Sequence, residues 1–338
     1  RPITFRWSAR LDDFITSAAW SPDGSLLATA SVSGQVALDE VGDGTRRRLF
    51  APAHADGCDA LAWRPDGLAF ATAGRDGKWK LWSVESDKPL AENEAGAPWV
   101  EHLAWRPASP NAEAPLLAVA ASRTVSLWTA DGAAQGEKIV FPRNVAGLAW
   151  TGGKLAVATS AAVSLRDSIT GAEERAFPSR DALLNLSFSP SGKWLMTGTQ
   201  DCGIHVWNTD SGTEMHMRGY AAKVRQMAWH RGGRWLAAGG GDVVSIWDCS
   251  GRGPEGRTPT LLEWHPDLVT ALHYQPAGDW LASGARDGSV AVWSPTQRHP
   301  QISGAKISQG VTQIAWSPDG AQLAVTGEEG EIQVLAVE

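Results

Sequence analysis

DALAWRPDGLAFATAGRDGKWKLWS, residues 59–83, contains three short apolar runs, and the residues that separate them decide how the chain folds. DALAW alternates as a half-buried strand does, RPDG supplies the Pro, Asp and Gly of a tight turn, and LAFATA reads as a second, almost wholly apolar strand. GRDG is a hairpin turn and KWKLWS a third strand, followed by ESDK (85–88) as a turn and PLAEN (89–93) as a weaker outer strand. Apolar spacing of three and four, which helical repeats require, is missing.

The unit recurs. ITSAAWSPDGSLLATASVSG (15–34) and VTQIAWSPDGAQLAVTGEEG (311–330) nearly copy one another from opposite ends of the 338-residue chain. Related phrases lie between them, giving eight aromatic anchors at Trp20, Trp63, Trp105, Trp150, Phe188, Trp229, Tyr274 and Trp316. The anchors stand 38 to 45 residues apart, the period of one four-stranded propeller blade. Small residues precede most of them (Ala62, Ala104, Ala149, Ala228, Ala315), as suits inner strands crowded near an axis. A chain this long exceeds the usual single core, but a ring of repeats escapes that limit, so residues 1–338 are expected to form one domain.

On these residues the chain resembles the WD-repeat (WD40) β-propeller family. In that family a His, a Ser or Thr, an Asp and a Trp hydrogen-bond across strands a, b and c of a blade. The second unit carries all four as His54, Thr72, Asp76 and Trp82, and the seventh as His265, Ser283, Asp287 and Trp293. The fifth keeps Thr197, Asp201 and Trp207 but has Ser179 in the His position. Asp39, Arg166 and Leu335 replace the Trp in units one, four and eight, and units three and four shorten the b–c hairpin.

Strand counting sets the blade number. Eight a–b–c groups have only seven d strands after them, and ITFRW (3–7) is the spare strand at the front. The expected fold is therefore all-β: one eight-bladed propeller in which the N-terminal strand completes the last blade and protects its edge. The alternative, seven blades, leaves one unit unplaced. Both end units lack the quartet Trp, so closure is expected to rely on strand pairing more than on buried polar networks.

Composition narrows the partners. A net charge of −7 and 20% charged residues make no basic field for nucleic acid or acidic membranes. No apolar run reaches bilayer-spanning length, and no charged-then-apolar leader precedes Ile3. Cys58, Cys202 and Cys249 are far apart and odd in number, which points to a reducing, cytoplasmic setting rather than a disulfide framework. A monomer is expected, and the regular AWSPDG-type repeats point to a bacterial member of the family.

Catalytic motifs are missing: the sequence has no phosphate-binding GxxxxGK[ST], HExxH, GxSxG or EF-hand loop. Quinoprotein dehydrogenases share the blade number and Trp abundance, but their Asp–x–x–Thr–Gly motif does not recur from unit to unit here, occurring once as DSITG (167–171), and their cysteine pair is not found. No enzyme activity and no cofactor are expected, and Asp76, Asp201 and Asp287 read as structural. DCGIHVWNTDSGTEMHM (201–217) gathers Asp201, Cys202, His205, Met215, His216 and Met217, but reads as a half-exposed outer sheet, so no metal site is assigned.

The resemblance places partner binding on the channel rim, on the face built by the d–a and b–c connections. The matching positions include Phe14, Asp59, Arg75, Trp99, Glu101, Gln200, Lys223, Arg225 and Arg286. Aromatic and arginine side chains dominate interface energetics, which singles out Trp99, Phe14 and the three arginines. The insertions RPASPNAEAP (106–115) and SGRGPEGRTP (250–259) read as tolerated loops on the opposite face, and Arg46, Arg47 and Arg48 as a solvated outer edge. The expected function is a non-catalytic scaffold binding a protein or peptide. The alternative is small-molecule or metal-dependent activity in the central channel.

Overall fold

The computed structural model describes residues 3–108, 114–297 and 300–337. Residues 109–113 of the first insertion lie outside the described residues. Eight four-stranded antiparallel sheets follow one another, and every regular element among the described residues is a strand. In blade 2 the strands run outward as a (Cys58–Trp63), b (Ala69–Gly74), c (Lys78–Ser83) and d (Pro89–Glu94). Blade 8 takes its strand d from the other end of the chain: Ile3–Arg10 pairs antiparallel with Glu331–Val337, from Ile3 opposite Val337 to Arg10 opposite Glu331. The fold is an eight-bladed β-propeller.

The turns explain the repeated phrase. In SPDG, RPDG and SPDG the Gly N–H bonds the carbonyl three residues back, Gly24 to Ser21, Gly67 to Arg64 and Gly320 to Ser317, at 2.8–2.9 Å. The Asp carboxylate then accepts a backbone N–H two residues on (Ser25, Leu68, Ala321) at 3.0–3.1 Å. The Gly backbone has φ near +74°, a conformation that a β-carbon disfavours.

The core is a set of apolar layers between neighbouring blades. Strand b of blade 2 sends Phe70 toward blade 1, against Phe50 and Trp63, while Ala69, Ala71 and Ala73 face Val100, Trp105 and Leu117 of blade 3. Alternation along a strand thus feeds two layers at once, so no blade has a core of its own.

The anchor tryptophans tie the layers together near the axis. Five of the six anchor indoles donate N–H to the carbonyl of the residue just before the preceding blade's anchor: Trp63 to Ala19 (3.0 Å), Trp105 to Ala62 (3.1 Å) and Trp150 to Ala104 (2.9 Å) among them. Trp20 reaches Ala315 (2.9 Å) across the closure, and Trp316 reaches His273 (3.1 Å). Phe188 has no N–H, and the Trp229 Nε1 and Tyr274 hydroxyl are buried without a partner among the described residues. Strand a of blade 5 is also reduced to Ser187–Phe188.

Other contacts hold these joints. Arg175 donates to the Asp210 carbonyl (2.8 Å) between blades 4 and 5, and Trp194 Nε1 to the Cys249 carbonyl (3.1 Å) between blades 5 and 6. His230 and Arg231 meet Asp279 between blades 6 and 7. Asn185 adds bonds to the Val224 (3.3 Å) and Arg225 (2.9 Å) carbonyls, where a β-carbon on Gly198 would stand 1.8 Å from the Val224 oxygen.

Three expectations are corrected. Ring closure has a polar network beside its strand pairing: Asp39, fully buried in the Trp position of blade 1, is gripped by the partly exposed Arg46 through Nε (2.8 Å) and Nη2 (3.2 Å), and Arg46 also makes a surface bond to the Arg10 carbonyl (3.0 Å). The arginine run is not simply a solvated edge, because Arg48 reaches across to the Val84 (3.0 Å) and Glu85 (2.8 Å) carbonyls of blade 2. The 250–259 insertion is part of a joint: Lys193 bonds the Gly251 carbonyl (2.8 Å), and Gly253 lies against Trp194 so closely that a β-carbon would meet its ring at 2.9 Å.

Candidate functional site

The polar quartets differ from blade to blade. In blade 2, Trp82 Nε1 donates to Thr72 Oγ1 (2.8 Å), Thr72 meets His54 Nε2 (2.8 Å), and His54 Nδ1 meets Asp76 (3.0 Å). Burial holds the His54 pKa below its ordinary value, and Asp76 opposes that shift. In blade 7, Trp293 and His265 both reach Ser283, at 2.7 and 2.6 Å. Asp287, however, does not meet His265 directly. Ser289 stands between them, 2.7 Å from His265 Nδ1 and 2.6 Å from Asp287, so the relay has five members. With the carboxylate one step removed, burial pushes His265 down to about 4.

Blade 5 does not assemble the expected group. Thr197 Oγ1 bonds the Gly198 carbonyl (2.9 Å), and Ser179 meets His205 on strand c rather than the Asp201 of the hairpin. Blade 6 builds a different relay, in which Trp247 Nε1 donates to the Tyr220 hydroxyl (2.7 Å), which meets Ser245 (3.1 Å). Nothing in the sequence reading pointed to Tyr220, because a Tyr fills the space of a His plus its acceptor.

On the rim face, Trp99 and Phe14 are 60% and 39% exposed. Glu101, Gln200, Lys223 and Arg225 are exposed too. Arg75 and Arg286 are engaged locally, by Asp59 at 2.9 Å and Asp267 at 2.8 Å. The Arg286 guanidinium beside Asp267 holds that carboxyl below the usual carboxylate range. Lys223 and Arg225 have no ion-pair partner among the described residues. Trp99, Pro98 and Glu101 line a cavity of about 430 Å³ with Ser122 and Asn144. Its position has a local cause: only Ser122 and Arg123 separate strands b (Leu116–Ala121) and c (Thr124–Thr129) of blade 3. Blade 4 has an equally short hairpin between Thr159 and Ala162, so two adjacent blades lower the rim there.

A second cluster sits at the edge of the same face, in the outer strands c and d of blade 5 (Ile204–Asn208 and Glu214–Met217). His205 and His216 are direct cross-strand partners, their rings stacked 4.1 Å apart, and both Nε2 atoms approach Glu214 Oε1. All three lie in the segment 201–217 that the sequence singled out, where only the two histidines were named. Glu214 was missed, and Asp201, Cys202, Met215 and Met217 are not in the cluster.

A propeller with polar relays inside its blades and an exposed rim defines the class. The family model described as WD40, WD domain, G-beta repeat, matches residues 4–38, 46–83, 175–208, 213–248, 256–294 and 300–334. The chain belongs to that family. The matched segments skip residues 84–174, which include the two blades with shortened hairpins.

Among curated relatives, Protein HIR1 of Cryptococcus neoformans is 27% identical over 187 residues, covering 46% of this chain and 20% of that protein. Anaphase-promoting complex subunit cdc20 of Dictyostelium discoideum is 25% identical over 44% of this chain and 30% of its own length. THO complex subunit 3 of Arabidopsis thaliana is 29% identical over 36% and 38%. The chain thus spans about a fifth to two-fifths of these relatives. They are all eukaryotic and lend nothing to a bacterial origin. Two solved structures share the fold: the computationally designed Ika8 protein (TM-score 0.84, 19% identity, 99% of this chain and all of that one) and the Dos1 propeller (0.80, 15%, 99% and 95%).

Proposed function

We propose that the chain is a non-catalytic binding platform whose rim takes a protein or peptide partner, with the lowered stretch over blades 3 and 4 as its principal seat. The observation that carries this reading is the 60% exposed indole of Trp99 beside a cavity lined by Pro98, Glu101, Ser122 and Asn144. A bulky aromatic next to a recess gives a partner side chain both an apolar wall and a place to go. Lys223 and Arg225 on blade 6, and Phe14 and Gln200 on their own blades, extend the same face and favour a partner with acidic groups. Asp59, Arg75 and Arg286 serve it as rim architecture, since their charges are spent on local pairs. Two of the relatives are named as subunits of multi-protein complexes, which agrees with a scaffold role.

In this reading residues 1–338 act as one monomeric domain in the cytoplasm, without nucleic acid, membrane or cofactor at the rim. The test is affinity capture with the full chain, comparing wild type with Trp99→Ala plus Arg225→Ala and with a double substitution on the opposite face. The rim variant is expected to lose the main captured partner while the opposite-face variant keeps it. Unchanged capture by the rim variant sinks the assignment.

A further inference from the structure

Ser179 stands where blades 2 and 7 carry a quartet histidine, and its hydroxyl lies 3.1 Å from Nδ1 of the His205 imidazole. A serine hydroxyl has one proton. Ser179 donates it to the Asp181 carbonyl (2.9 Å) while accepting the Asp181 N–H (3.2 Å). With that proton so placed, Ser179 accepts from the Nδ1–H of His205 (3.1 Å), the tautomer in which Nε2 carries a lone pair. A neutral His205 then turns the lone pair of Nε2 toward Glu214 Oε1, with which it is in contact. In that tautomer the gap between the nitrogen and the carboxylate takes a cation, a proton or a metal ion.

The third group completes a coordination set. His216 Nε2 lies 3.2 Å from the same carboxylate oxygen, and the three ligand atoms all fall within 4.8 Å of one another. To share one metal ion, with bonds of roughly 2.0–2.2 Å to nitrogen and oxygen, the partly exposed His216 ring turns out of its stack on His205 so that the two Nε2 lone pairs converge. The scaffold is rigid on one side and open on the other. His205 is held between the rings of Trp207 and His216, each 4.1 Å away, while His216 and Glu214 are partly exposed. A cavity of about 680 Å³ adjoins the cluster and is walled in part by Arg180, Asp181 and Arg218.

We propose that His205, Glu214 and His216 bind a divalent 3d metal ion, of which Zn2+ is the first candidate, with a coordination position open to the cavity. Two imidazoles and a carboxylate suit that borderline ion, and the two arginines favour a small anion or a partner's carboxylate as a further ligand. Ser179 is a positioning residue: it fixes the imidazole tautomer that leaves Nε2 free to coordinate. The site lies on outer strands, away from the central channel, and stands independently of the rim reading.

The test uses the full chain stripped with chelator, titrated with Zn2+ by calorimetry and with Co2+ by visible absorption. One ion per chain is expected, with cobalt bands of a nitrogen and oxygen ligand set. His216→Ala and Glu214→Gln, both at partly exposed positions, should each abolish the cobalt bands while keeping the wild-type circular dichroism spectrum in chelator. Ser179→Ala should weaken binding about tenfold or more, and Cys202→Ser should leave it unchanged. No saturable uptake by the stripped wild type overturns the proposal, as does a wild-type cobalt spectrum and affinity in both ligand variants.

Discussion

Blades 2 and 5 are built from the same phrase, yet they join their neighbours in different ways. Blade 2 donates its anchor indole to Ala19 behind it and receives the Trp105 indole on the Ala62 carbonyl in front. Blade 5 has Phe188 for an anchor and an inner strand of two residues, and Trp229 of blade 6 offers it no bond in return. The difference extends to whole arcs: from the blade 7–8 joint round to blade 4 the anchors tie each blade to the last, while the joints from blade 4 to blade 7 depend on contacts other than the anchors. The anchor Trp thus acts as an inter-blade fastener as well as a core side chain, and a buried indole N–H without a partner destabilises rather than helps.

The largest expected effect is in the tied arc, at the ring closure. Arg46→Met leaves the Asp39 carboxylate buried without its cation and should cost roughly 3–5 kcal/mol in urea unfolding. A loss below ~1 kcal/mol would show that this ion pair adds little to the closure.

Next comes the quartet contrast. Thr72→Val strands both the Trp82 indole N–H and His54 Nε2, for a cost of roughly 2–4 kcal/mol. Thr197→Val, at the matching position of blade 5, loses only the bond to the Gly198 carbonyl and should cost about 1 kcal/mol. Equal losses would erase the distinction between the two blades.

The blade 7 relay predicts a pH dependence. The folded-state pKa of His265 is about 4 against an ordinary 6.5, so the unfolded chain binds the proton first. Its contribution is present in full above pH 6.5 and is lost as the pH falls toward 4, reaching roughly 3 kcal/mol once the pH is below both values. A His265→Gln variant should therefore lose less stability than wild type over that range. Parallel stability curves for the two proteins would contradict the assignment.

How much of this was legible in the sequence follows from what each feature depends on. Turns such as Arg64–Gly67 and the strand periods are local, so the blades and the closure by Ile3–Trp7 could be read directly. The blade 2 quartet was legible because four specific side chains stand at fixed offsets. Ser289 in the blade 7 relay and Tyr220 in blade 6 were not, since a hydroxyl one residue off the pattern changes the connection without changing the motif. The inter-blade ties were invisible because their acceptors are backbone carbonyls about one repeat away, which any residue supplies. At the blade 5 cluster the two histidines were noticed, but Glu214 joins them only through cross-strand register and i, i+2 placement on one face. The lowered rim near Trp99 was half legible, as the short hairpins of units three and four were seen but not their consequence for the groove.

The fastener role of the anchor is tested most directly by one pair of substitutions, Trp63→Phe and Trp229→Phe, compared by urea unfolding. Both exchange an indole for a phenyl ring at the same repeat position, but only Trp63 loses a hydrogen bond, its tie to the Ala19 carbonyl. Trp63→Phe is expected to cost about 1 kcal/mol more than Trp229→Phe, the worth of one intramolecular hydrogen bond. Equal costs, or a larger loss at Trp229, would contradict the account.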